Sequence, residues 1–366
     1  MIGITPLCRY LKQQGNEVYC LTKNTGEEIL RYNPNVDKLI LYNDELKKMF
    51  SGLDEVPNRK LGDFFKATAQ AYECERIINL CESWEVKLAR CPHEPDFKYP
   101  LTIAREQCDI NYYEQIFRLA EEPAKGIMSY SAFDSSFFTP EMFFSPEETI
   151  KMGNDFIDFR KLGKFVILWG LSGSAANKTY PYVPEVIFPI LKKYPKVCFL
   201  TVGDEVCRVL EFELNPDFYK DKNVNKQKLC ERIIRKSAQW SIRESCLATK
   251  YANLVIAPDT GILHASGMFN TPKIGLLNHT TIKNITKHFK NDFSLHASEG
   301  QHPFFGPVSC SPCFKIHYSK KITCNMDDVK GTQAPICMTH GIPADKVIKR
   351  IEEVVNGAPF FQTQDA

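Results

Sequence analysis

The sequence lacks any run of about 18 consecutive apolar residues, and its start shows no charged segment leading into an apolar core and a small-residue cleavage site. Neither a membrane-spanning helix nor a secretory leader is expected, so the chain reads as cytoplasmic. An excess of charge of one sign is also missing: 46 Lys and Arg face 44 Asp and Glu, a formal charge of +2. That balance gives no global attraction for nucleic acid or for a membrane surface. Low-complexity tracts and short-period repeats are absent too. What is present is ordinary globular material, 43% hydrophobic with 25 Phe. A chain of 366 residues exceeds one compact core, and two domains of roughly 150 to 200 residues are expected. Fourteen cysteines in a reducing compartment are not expected to be disulfides; they read as buried thiols, reactive thiols or metal ligands.

The second half alternates strand and helix. The apolar runs 164–170 (KFVILWG), 196–203 (KVCFLTVG), 253–258 (NLVIAP) and 272–277 (PKIGLL) have the continuous character of parallel strands covered on both faces. A shorter candidate strand lies at 232–237. Between them, 184–195 has helical spacing, DEVCRVLEF is helical in pattern, Ser241 and Glu244 have the spacing of a capping box for a helix through Lys250, and TGILHASGMF reads as a further helix. This is the pattern of a doubly wound α/β domain. The first half repeats it more faintly: helix at ITPLCRYLKQQG, strand at EVYCLT, helix at GEEILRYNP, strand at VDKLILYN, a short strand at 76–81 and a helix at 112–122. A doubly wound domain opens on a buried strand, whereas this chain opens at the loop into a helix, so a first strand is expected to be missing. The reading is therefore of domains at 1–160 and 161–354, with a tail at 355–366.

Three constellations carry candidate chemistry. In APDTGILHASG, Asp259, Thr260, Gly261 and His264 lie at a strand end and a helix start, where backbone N–H groups and the helix dipole favour an anion. The bland alternative is a capped helix with a satisfied histidine. A carboxylate beside a diphosphate is awkward, so Asp259 reads as a cap, as an orienter of His or Lys, or as an acceptor for sugar hydroxyls. In WGLSGSAANKTYPY (169–182), Lys178 and Thr179 end a Gly/Ser-rich loop after a buried strand; neither G-x-x-x-x-G-K-[ST] nor G-x-G-x-x-G is present there. The two corners lie at carboxyl ends of strands in one sheet, so they can converge on one diphosphate. The third constellation is Cys310, Cys313, Cys324 and Cys337, in an element over 310–337. Four thiolates suit a closed structural zinc or iron site; buried thiols or a redox pair are the other readings.

DTGILHASGMFNTPKIGLL, WGLSGSAANKTYP, NPNVDKLI and the C-terminal CSPCF, CM and IPADKVIKRIEEV resemble the heptosyltransferase-type glycosyltransferases of family 9, over nearly the whole chain. The resemblance implies a GT-B architecture of two Rossmann-like domains facing across a cleft. It implies inverting transfer needing no metal or other cofactor, from a nucleotide-diphosphate sugar such as ADP-heptose to a lipopolysaccharide-core or related glycan, at the inner face of the membrane with peripheral contact. It assigns Lys178 and Thr179 to the donor diphosphate, Glu205 to the ribose hydroxyls, Thr260 and Gly261 to a backbone phosphate cradle, and Asp259 and His264 to the donor's surroundings. The family carries a Gly-Asp pair, its proposed base, before TPL; here the chain begins MIGITPL, and the nearest acidic residue, Glu17, lies beyond the helix. Either the chain is truncated and inactive as written, a nucleotide-sugar-binding module, or another carboxylate substitutes. The cysteine element is also similar to that of heptosyltransferases that modify autotransporter proteins, which opens a protein acceptor. Elemental analysis of the purified chain should find about one zinc or iron per molecule; a fully folded chain free of both metals would remove the cysteine site.

Overall fold

The structure is a computed structural model, which describes residues 1–41, 68–78, 110–121, 123–128, 135–173, 178–220, 223–297, 301–302, 306–307, 311–312, 326–329 and 332–358. The chain divides into two compact units, Met1–Glu141 and Met142–Ala366.

The first unit opens with a 3-10 turn, Ile2–Ile4, that runs into the helix Thr5–Gln13, with Pro6 in its first turn where no N–H is needed. Strand β1 (Tyr19–Thr22), the helix Asn24–Leu30 and strand β2 (Lys38–Leu41) follow, and β1 pairs with β2 in parallel with Tyr19 opposite Lys38. The helix Tyr112–Glu121 buries Tyr113, Ile116, Phe117 and Ala120, the single stripe that its spacing requires. The end of the unit returns to its beginning: Glu141 N–H donates to Thr5 Oγ1 (2.9 Å), and its carboxylate accepts from Arg9 (2.6 Å) and Asn35 (2.5 Å). The strand expected at 76–81 extends outside the described residues.

The second unit is built on six parallel strands, β3 (Phe165–Gly170), β4 (Val197–Val202), β5 (Ile233–Arg235), β6 (Leu254–Pro258), β7 (Lys273–Leu277) and β8 (Leu295–His296). Their order is β5-β4-β3-β6-β7-β8, and every neighbouring pair is parallel. Every residue of β3, β4, β6 and β7 is buried. Helices cover both faces. On one side Phe165, Ile167 and Trp169 share a core with Ile187 and Leu191 of the helix Val183–Lys193 and with Ile351 and Val355 of the helix Ala344–Gly357. On the other, Val166 and Leu168 meet Met152 and Phe156 of the helix Pro146–Leu162 and Leu247 and Ala248 of the helix Ile242–Tyr251. Each such buried side chain contributes about 1.5–3 kcal/mol.

The helix Pro146–Leu162 moves the expected boundary at 160. A capping box between Ser145 and Glu148 starts it. Arg243, buried on the helix Ile242–Tyr251, then grips it, donating to both Glu148 oxygens (2.5 and 2.7 Å) and to the Phe143 carbonyl (2.7 Å). Residues 142–160 thus belong with the second unit. The tail expected from 355 also begins later, since the last helix runs to Gly357 with Val355 fully buried. Among the described residues, no helix is long and apolar enough to cross a membrane.

A fragment starting at residue 161 would leave the Val166 and Leu168 face uncovered and Arg243 without its carboxylate. We expect a fragment of 142–366 to unfold cooperatively in urea and one of 161–366 to lose that transition; equal cooperativity in both would refute this assignment.

Candidate anion-binding site at the switch point of the sheet

In the second unit the chain runs outward from β3 to β4 and β5, then crosses back to lay β6 against the other edge of β3. Loops leaving β3 and β6 therefore diverge. The crevice between them, outside the carboxyl ends of the strands, is where open α/β sheets hold ligands. Lys178 ends the loop after β3, and Asp259 is the first residue past β6. His279 is the second past β7.

These side chains meet. Lys178 Nζ donates to the Asp259 carbonyl at 2.8 Å and stands 3.8 Å from Oδ2. His264, one turn into the helix Gly261–Ser266, places Nε2 3.2 Å from Asp259 Oδ1. His279 Nε2 lies 3.1 Å from Oδ2, a close approach that does not form a hydrogen bond. Lys178, Asp259 and His279 are all buried. Burial pushes the Asp259 carboxyl up, but His264, His279 and Lys178 outweigh it and hold the group well below the usual carboxylate range.

Small residues let the loops close. A Cβ on Gly173 would sit 2.7 Å from Lys178 Cδ and 2.9 Å from Thr260 Cγ2, so only glycine lets the β3 loop lie against both. Beside Gly261 the space is open for 4 Å, which leaves room for a group outside the protein. Thr260 occupies the N-cap position without capping, and its buried Oγ1 has no hydrogen-bond partner. Thr179 joins the loop through a 3.1 Å contact with Ser172 Oγ.

Among the residues singled out from the sequence, Lys178, Asp259 and His264 form one cluster, with Thr260 and Gly261 at its edge. Glu205 is not part of it. Asp204 takes the N-cap role, accepting from Val206 and Cys207 N–H, which leaves Glu205 on the exposed face of the helix Glu205–Leu210, 3.4 Å from Arg208. Cys310, Cys313 and Cys324 lie outside the described residues; Cys337 is buried, and its Sγ accepts from Asn278 Nδ2 at 3.4 Å. Among the described residues no group of His, Cys, Asp and Glu has the arrangement of a metal site. His279 and Asn278 are absent from the sequence reading. Position was the available signal, because residues just past any strand of a doubly wound sheet arrive at the same edge.

No protein-family model and no curated protein matches the sequence. Two solved structures share the fold. The family 9 glycosyl transferase of Veillonella parvula DSM 2008 aligns with a TM-score of 0.61 at 13% identity, over 98% of this chain and 94% of that one. E. coli ADP-heptose lps heptosyltransferase II aligns at 0.59 and 13%, over 97% and 95%. The class is thereby defined as α/β with the two Rossmann-like units of GT-B glycosyltransferases. Two Rossmann-like units are the fold type that the family 9 resemblance implies.

A carboxyl held below its unfolded value of about 3.9 contributes stability above that pH and loses it as pH falls through the folded value. Asp259→Asn should therefore cost about 3 kcal/mol at pH 7 by leaving the buried Lys178 ammonium without its counter-charge. In urea unfolding the gap to wild type should close as pH drops below about 4; a gap independent of pH would count against an ionised Asp259.

Proposed function

We propose that the chain transfers a sugar, a heptose in the first instance, from a nucleotide-diphosphate donor such as ADP-heptose to a lipopolysaccharide-core or related glycan acceptor. The observation that carries this reading is the cluster of Lys178, His264 and His279 around one buried carboxylate at the switch point of the sheet. In inverting glycosyl transfer the acceptor hydroxyl attacks the anomeric carbon while its bond to the diphosphate breaks, and negative charge gathers on the leaving phosphate. Fixed cationic and N–H groups at that point lower the barrier. Lys178 is assigned to the diphosphate, with the Thr260 hydroxyl and the backbone at Gly261 as neutral donors. A carboxylate held so far below the usual range is a poor proton acceptor, so Asp259 organises the cations rather than deprotonating the acceptor.

The cysteine element is assigned a structural zinc or iron held by Cys310, Cys313, Cys324 and Cys337. Four thiolates close the coordination sphere, so the metal would brace the segment and take no part in transfer.

The test is calorimetric binding of ADP, UDP, GDP and CDP, followed by transfer assays with the matching nucleotide-heptose and either a heptose-deficient lipopolysaccharide core or an autotransporter peptide. Lys178→Ala should weaken diphosphate binding and slow transfer by about 100-fold. Binding of a donor with neither hydrolysis nor transfer would assign a nucleotide-sugar-binding module instead, and binding of no nucleotide would overturn both readings.

A further inference from the structure

His279 is the least exposed of the groups around Asp259, at 1%, and its environment is built by parts of the chain far away in sequence. Its Nδ1 lies 2.9 Å from Asn278 Oδ1. The other end of that amide, Nδ2, donates to Cys337 Sγ at 3.4 Å, across 59 residues. The Asn278 carbonyl accepts from Ser311 Oγ, across 33 residues. Asn278 is thus held at its side chain by one part of the cysteine-bearing segment and at its backbone by another.

We propose that Asn278 is a positioning residue for the anion site: by fixing the His279 ring against Asp259, it lets the cysteine-bearing segment set how tightly the site holds a diphosphate. An amide has two unlike ends. With its nitrogen on the sulfur, its oxygen faces the ring, which then donates from Nδ1 and is held with its far edge, at Nε2, 3.1 Å from Asp259 Oδ2. That arrangement keeps Asp259 between two imidazoles and restrains its rotation, so that Lys178, which binds the same residue at its backbone and its carboxylate, has a fixed partner. His279 is too buried to be the group that meets a ligand first; it acts through Asp259, as the outer partners of a binding residue do.

The proposal rests on the diphosphate reading, and its test separates the two. Binding is measured for the nucleoside diphosphate that wild type holds most tightly among ADP, UDP, GDP and CDP, and for the corresponding nucleoside. Asn278→Ala and His279→Ala should each weaken diphosphate binding by about tenfold, leave nucleoside binding unchanged, and in combination weaken it no further, because both act along one line. His279→Gln, which retains an N–H donor, should recover part of the loss. Wild-type affinity in Asn278→Ala, a matching loss for the nucleoside, or multiplicative effects in the double variant would each overturn the positioning role. A wild-type chain that binds none of the four diphosphates would overturn the diphosphate reading, and this proposal with it.

Discussion

The second unit depends on one buried negative charge. Asp259 lies in a setting where an unpaired carboxylate would cost several kcal/mol, and the sheet answers by delivering a lysine and a histidine from two other loops, beside a second histidine on the helix that follows Asp259 itself. Only the strand order makes this possible. Because β3 stands between β4 and β6, the loop carrying Lys178 and the loop carrying Asp259 leave adjacent strands, and because β7 is the next strand out, His279 arrives on the opposite side. The carboxylate in a site meant for anions is then no contradiction. Its charge is offset by Lys178, whose Nζ stands 3.8 Å away.

Other buried ionic groups are handled differently, which marks the cluster out. Arg232, half-buried, donates to the carbonyls of Leu191, Tyr194, Pro195 and Val197. Lys273, fully buried at the start of β7, donates to the Phe269 and Lys290 carbonyls, and burial brings its amine down to about 8 despite nearby Asp292. Glu211 is as buried as Asp259, yet accepts from a hydroxyl, Thr201, and a backbone amide, Ser237. These three charges are thus satisfied by neutral groups, whereas buried Arg243 is met by the Glu148 carboxylate. At the switch point, by contrast, a lysine and a carboxylate share one cluster with two histidines.

Most of the second unit was legible because its strands are buried on both faces and so read as unbroken apolar runs. The helix Pro146–Leu162 was missed for the converse reason: Ile150 and Ile157 are more than 60% exposed, which blurs the apolar stripe. Its capping box at Ser145 and Glu148 was the surviving mark. In the site, Lys178, Asp259 and His264 were legible as polar residues in corners after such strands. Glu205 lies apart from the cluster because, with Asp204 capping the helix, the next side chain points outward. His279 left only its position two residues past β7 as a trace, since its partner is supplied by pairing of β7 with β6, a contact the sequence does not display.

The two histidines also differ in what fixes them. His264 belongs to the helix that begins at Gly261, so its place relative to Asp259 follows from local structure, with the Phe289 ring edge-on at 6.3 Å. His279 sits in a loop after β7 and takes its place from Ser311 and Cys337, through Asn278. Topology alone therefore brings Lys178, Asp259 and His264 together, while the fourth member needs the C-terminal part of the chain to be folded. The cluster thus draws Lys178, Asp259 and His264 from the sheet, while His279 also leans, through Asn278, on Ser311 and Cys337.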